Sequence, residues 1–375
     1  MFRNTFPKII FAITICSCLL PQPAFGQAKP SSEVDVTKCW SYPLGDEAAS
    51  ELASDGVRVY IGGAGARVQA LSLDGKKMWA TELGGDIGSN LLAADTGLFL
   101  VTATVSSDGK AGGNMLRSLS KETGITNWTA KMPEASEHAL AIYRDVVVVV
   151  SKSGVIQSID AKTGAVKWKR ELAESFVSRP AFSGDKLFVA STAKQLFAIL
   201  LATGEIDAMR KLQLGVTAIG QTASGNLIVG DERGNVISIV AAREKAAWKF
   251  RSGGQVSAIF NVSDHLLVTS HDNFVYFLVT KNGGVAWKRR LSGRVSQIGI
   301  INDRYAFVSS FEDHGAVLVD LSNGKNAGQI VFGDDENLVI GSVVSNGLIL
   351  ALTDQSVYAF SLNGCSAKKE GGADK

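Results

Sequence analysis

One pattern recurs at near-constant spacing and limits what this chain can fold into. In GVIQSIDAKTGAVKWKREL (154–172) an alternating strand leads into a Thr-Gly turn, and tryptophan follows the glycine by four residues. The same grammar appears in VQALSLDGKKMWATEL (Gly75, Trp79), LRSLSKETGITNWTAKM (Gly124, Trp128) and VYFLVTKNGGVAWKRRL (Gly283, Trp287). VISIVAAREKAAWKFR keeps Trp248 without the glycine. Two further copies lack the indole: LFAILLATGEIDAMRKL has Ala208 there, and VLVDLSNGKNAGQIVF has Gly328. The aligned positions 79, 128, 168, 208, 248, 287 and 328 are separated by 49, 40, 40, 40, 39 and 41 residues. Repetition at that period marks a repeat architecture.

Each unit also carries an upstream hairpin, such as DVVVVVSKSGVIQSI or DKLFVASTAKQLFAI, rich in β-branched residues around a short polar turn. Four strands in about 40 residues form a propeller blade. The final unit, NGLILALTDQSVYAFSLNGC, stops before its tryptophan strand. KCWSYPL (38–44) is a tryptophan strand with no unit before it, and Trp40 precedes Trp79 by 39 residues, in phase. The sequence therefore predicts an all-β, eight-bladed propeller of four-stranded antiparallel blades over 38–365. Its last blade is closed by the N-terminal strand, which hides two sheet edges prone to aggregation. Trp40, Trp79, Trp128, Trp168, Trp248 and Trp287 are expected to pack between blades, each with its ring N–H on a carbonyl.

The first 28 residues read as an export signal. Arg3 and Lys8 precede an apolar run too short to span a bilayer, and PAFGQA offers small residues for cleavage. Residues 29–37 read as a linker, and SAKKEGGADK (366–375) as a disordered tail. A lipobox reading of ICSC, ending at Cys18, is the alternative: an outer-membrane-anchored lipoprotein instead of a soluble periplasmic protein. The chain has 38 basic and 36 acidic residues. Loss of the leader with Arg3 and Lys8 leaves 36 of each, a balance that disfavours nucleic acid as a partner. No membrane span is expected in the mature chain. Export also leaves two of the four cysteines, Cys39 and Cys365. In an oxidising compartment these are expected to pair and lock the closing blade, the alternative being two free thiols.

The D..TG...W grammar, in phase over 38–365, resembles the pyrroloquinoline quinone (PQQ)-like repeat family of propellers. Of its branches, BamB, the propeller subunit of the outer-membrane β-barrel assembly machine, is similar in length and blade number. That resemblance implies a non-catalytic envelope scaffold with no cofactor. It also implies an interblade loop, with an apolar pair and an arginine, that docks on a POTRA (polypeptide-transport-associated) domain of the barrel-assembly protein. In ELAESFVSRPAF the matching residues are Phe176, Val177 and Arg179. The family's acidic residues in the following interblade loop have no counterpart in LQLGVTAIGQTASG.

The alternative is a PQQ-binding quinoprotein-like enzyme or sensor. Those dehydrogenases are longer, stack the quinone on a vicinal disulfide and hold calcium or a lanthanide with carboxylates. The mature chain has no adjacent cysteines, and its two acidic clusters (Asp231, Glu232, Asn235; Asp334, Asp335, Glu336, Asn337) read as solvated loops. His138, His265, His271 and His314 show no ligand spacing and read as ordinary surface or strand residues.

Two features suit a partner. The glycine-rich 104–114 replaces a tight middle turn and is expected to project. From Ala208 to Ser296 there are twelve basic residues against five acidic, a net +7. This makes Arg289, Arg290 and Arg294 candidates to steer an acidic envelope protein.

Overall fold

Strand position within a unit follows from composition. Val146–Ser151 is a run of valines buried on both faces, as a middle strand needs when blades pack on either side. Val166–Glu171 alternates charge with a single buried ring, the pattern of an outer strand with one wet face. The computed structural model describes residues 34–105, 111–133, 137–176, 180–239, 246–311, 315–333, 336–345 and 347–365. These form eight antiparallel sheets, seven built from consecutive strands and the eighth from both ends of the propeller.

Blade 1 runs from Ala49–Ser54 to Lys77–Glu82, and blade 3 from His138–Tyr143 to Val166–Glu171. Blades 4, 5, 6 and 7 end in the outer strands Ile206–Lys211, Trp248–Arg251, Val285–Arg290 and Asn326–Val331. Blade 2 differs. Its innermost position is split into Asp86–Ile87 and Leu92–Ala94, both pairing with Gly97–Val105. Its middle strands reach nine residues, and the 104–114 extension continues the ladder through Thr104↔Gly113 and Val105↔Ala111. The glycine-rich stretch is therefore largely a longer hairpin, with 106–110 outside the described residues.

Blade 8 consists of Leu338–Ser345, Leu348–Thr353 and Ser356–Ser361, completed by Thr37–Pro43. The pairing is antiparallel and sets Trp40 opposite Ala359. Cys39 and Cys365 are joined in a disulfide with Cα atoms 5.3 Å apart. The linker read as 29–37 thus ends sooner than expected, since Thr37 is already in the strand and Val34 donates its N–H to Ala327 O at 2.6 Å. The leader and the tail lie outside the described residues. No described helix is long and apolar enough to cross a membrane.

The core lies between blades. One cluster joins Val148, Val150, Ile156 and Trp168 of blade 3 to Leu187, Val189, Phe197 and Ile199 of blade 4. Another joins Leu350, Leu352 and Val357 of blade 8 to Leu52, Val59 and Ile61 of blade 1.

Each tryptophan bridges to the following blade. The Trp168 ring N–H donates to Leu201 O at 2.8 Å, and Trp40, Trp79, Trp128, Trp248 and Trp287 make the equivalent bond to Leu73, Lys121, Ala161, Thr280 and Leu321. The ring face lies on the glycine of the next blade's turn. A Cβ added at Gly164 would sit 2.6 Å from Cε3 of Trp128, and Gly164 has φ +74°. That glycine meets two demands together: a left-handed backbone and room for an indole. Gly75, Gly124, Gly204, Gly283 and Gly324 face Trp40, Trp79, Trp168, Trp248 and Trp287 in the same way.

Trp168→Ala should destabilise the propeller by about 3–5 kcal/mol, the usual cost of deleting a buried aromatic. Gly204→Ala should also destabilise. The double variant should cost less than the sum, because removing the ring relieves the added methyl. Urea unfolding of the four proteins measures this. Separately, the paired change Cys39→Ser with Cys365→Ser should lower stability by about 2–4 kcal/mol, and reductant should then no longer shift the melting temperature.

Candidate functional site

Backbone bonds assemble one face of the ring. In blades 3 to 8 the residue opening the middle turn donates its N–H to a carbonyl of the preceding interblade loop. The pairs are Lys152 to Glu137, Thr192 to Ser175, Glu232 to Gly215, His271 to Gln255, Phe311 to Arg294 and Asp354 to Asn337, at 2.8–3.0 Å. Each tie fixes two loops side by side, so this face presents paired loops on a rigid support. Five of those turn positions hold polar residues. The sixth holds Phe311, whose side chain is 77% exposed.

Phe311 is a candidate that the sequence reading missed. The signal was an apolar residue aligned with Lys152, Thr192, Glu232, His271 and Asp354. Arg294, itself exposed, accepts the Phe311 N–H on its backbone carbonyl, so the two residues share this stretch of the face.

The three arginines of the basic arc separate. Arg290 and Arg294 are exposed. Arg289 is half-buried: its guanidinium donates to Gly324 O at 3.0 Å, and burial pushes its pKa down. It belongs to the interblade joint, as does Arg170, which donates to Gly204 O at 2.8 Å. In both cases the arginine stands two residues beyond the tryptophan, so its side chain leaves the same strand face.

Of the three residues that the resemblance assigned to docking, Phe176 lies among the described residues. Phe176 is 6% exposed and packs with Val148, Trp168 and Leu187, so its ring fills the blade 3–blade 4 core. Val177 and Arg179 lie outside the described residues.

The comparisons follow this geometry. A family model described as "Outer membrane protein assembly factor BamB" matches residues 32–205 and 207–371. The chain belongs to this family. No curated protein matches it. Among solved structures it is similar to BamB from Moraxella catarrhalis, with a TM-score of 0.67 at 15% identity, over 87% of this chain and 98% of that one. It is also similar to the computationally designed Ika8 protein, with a TM-score of 0.70 at 12% identity, over 88% and 99%. At such identities the likeness is one of fold.

The alternative reading, a metal–quinone site, would draw its carboxylates from the two acidic clusters. They are organised for other work. Asp231 is buried and accepts from the N–H groups of Arg233 and Asn235 and from the Asn235 amide, shaping its own turn. Glu336, read from sequence as a solvated loop residue, is 7% exposed. It accepts hydrogen bonds from the hydroxyls of Thr353 and of Tyr358, the latter at 2.6 Å. Burial and that carboxylate raise the Tyr358 pKa. Asp334 and Asp335 lie outside the described residues. Among the described residues no three histidine, cysteine or acidic side chains converge as ligands.

The histidines are likewise scattered, with His314 outside the described residues. His265 stacks on Phe277 with ring centroids 4.5 Å apart and pairs with Asp264. His138 is buried at the blade 2–blade 3 junction, where its backbone N–H donates to Gly88 O. Burial lowers its pKa, with backbone bonding to Gly88 and Pro133 acting in the opposite sense.

A histidine that binds its proton less readily when folded contributes stability above its unfolded pKa of about 6.5. That contribution is lost as pH falls through this value towards the depressed folded one. The melting temperature should therefore fall between about pH 7 and pH 5, and His138→Leu should flatten that segment of the profile.

Proposed function

We propose that this chain is an exported, non-catalytic propeller that acts as a protein-interaction scaffold in the cell envelope, serving outer-membrane protein assembly. The observation that carries the reading is the family match across both halves, 32–205 and 207–371. Supporting it is the face of paired loops, where Phe311 offers an apolar contact and Arg294 a charged one on a backbone that has little to reorganise on binding. The blades supply rigidity and the loops supply choice of partner. On that face Arg294 offers a charged contact to an acidic group of an envelope protein, and a POTRA-containing barrel-assembly protein is the proposed partner. The leader-like N-terminus supports a periplasmic location, either soluble or anchored through Cys18.

Envelope crosslinking followed by pull-down should recover a POTRA-containing protein. Phe311→Ala combined with Arg294→Glu should reduce that yield without changing the melting temperature. Recovery of no barrel-assembly component would defeat the proposal. Added PQQ with calcium should leave the melting temperature unmoved, whereas a rise would favour a cofactor-binding protein.

A further inference from the structure

The chain has four Asn-Gly pairs, beginning at Asn282, Asn323, Asn346 and Asn363. Such a pair can react with itself. Glycine has no Cβ to shield its nitrogen, so that nitrogen can approach the asparagine side-chain carbon. Asn346 lies outside the described residues. The other three asparagines are all exposed, so exposure does not rank them. Hydrogen bonding does.

In the turns that follow Phe274–Val279 and Gly315–Asp320, both reacting groups are held. The Gly283 N–H donates to Val279 O at 2.9 Å, and the Gly324 N–H to Asp320 O at 2.7 Å. Oδ1 of Asn282 accepts from the Gly284 N–H at 2.9 Å, and Oδ1 of Asn323 from the Lys325 N–H at 2.7 Å. Gly283 and Gly324 also lie against the indoles of Trp248 and Trp287.

The remaining pair sits at the seam of the ring. Ser361 ends the closing ladder, opposite Thr37 on one side and Leu348 on the other. Asn363 follows, then Gly364 at φ +77°, then Cys365 in its disulfide with Cys39. The Asn363 backbone N–H donates to Ser361 Oγ at 3.3 Å. Among the described residues, neither the Asn363 side chain nor the Gly364 N–H has a hydrogen-bond partner. A Cβ added at Gly364 would meet nothing within 4 Å, so no ring covers this nitrogen.

We propose that Asn363 is a hydrolytic modification site, deamidated through attack by its own neighbour with water as co-reactant. Hydroxide takes the Gly364 amide proton, and the nitrogen bonds to Cγ of Asn363. The Cγ–Nδ2 bond breaks, and Nδ2 takes a proton from water and leaves as ammonia. Water then opens the cyclic imide at either C–N bond. Opening at Cγ gives aspartate. Opening at the main-chain carbonyl gives isoaspartate, which lengthens the backbone by an atom. Either product puts a carboxylate beside the ring-closing bond where a neutral amide stood. Because the ladder stops at Ser361, no strand has to open for this to happen. The inference stands apart from the proposed function, because it concerns the seam of the ring and not its loop face.

The test incubates the full mature protein, disulfide intact, at mildly alkaline pH. Mass spectrometry of its digests follows conversion at each asparagine. Asn363 should convert about tenfold or more faster than Asn282 and Asn323, whose glycines must first give up a hydrogen bond and an indole contact. Isoaspartate should form together with aspartate, since direct hydrolysis of the amide gives aspartate alone. Gly364→Ala should slow the conversion, because its methyl shields the attacking nitrogen. Conversion at Asn363 no faster than at the two held pairs would overturn the site. Aspartate as the sole product, or an unchanged rate in the alanine variant, would overturn the route.

Discussion

The structure rests on one repeated contact, an indole laid on the glycine of a neighbouring turn. Neither partner is interchangeable. The glycine has no Cβ, so the ring can approach the backbone, and the left-handed turn aims a carbonyl at the ring N–H. An apolar area, a close approach and a hydrogen bond therefore depend on two residues some 35 positions apart. Because the contact always reaches forward to the next blade, it fixes the order and the pitch of the ring. Sheets packed only through valine and leucine faces would have no such ratchet.

The same economy explains where charge can reside. Middle strands are shielded on both sides, and the polar side chains they carry are buried with them, as Ser158 and Gln157 are in blade 3. Cations gather on the outer strands and the turns, with Arg117 an exception on a middle strand of blade 2, where it donates to the Thr102 hydroxyl at 2.9 Å. Even on the outer strands, an arginine two residues beyond the tryptophan is drawn into the joint, as Arg170 and Arg289 show. Within the basic arc of 208–296, Arg289 is committed to the joint, while Lys211, Lys249, Lys288, Arg290 and Arg294 are exposed.

Much of the architecture was legible because the repeat announces itself. The phase of Trp40 placed the first strand in the last blade, and the disulfide followed from the two cysteines that closure brings together. The site was less legible. A phenylalanine in a loop reads equally as an anchor for a partner or as a plug for the core, and only coordinates show Phe176 to be the plug. Glu336 looked solvated because its neighbours are charged, although Thr353 and Tyr358, 17 and 22 residues away, receive it. Phe311 was visible by alignment within the chain, but an exposed ring matters only once its turn is known to lie beside Arg294. The split inner strand of blade 2 left no trace in periodicity, since two and three residues are too few to show one.

Closure has a consequence in time. The first strand has no mate until the last three strands exist, and cysteine 39 waits 326 positions for its counterpart. During chain growth the opening segment cannot take its native place until the last sheet has been made. Joining the ends is the least local event in the molecule, and non-local pairing is slow. The bond between the two sulfurs then acts as a receipt: it can form only on a chain that has been made as far as Cys365 and wound full circle.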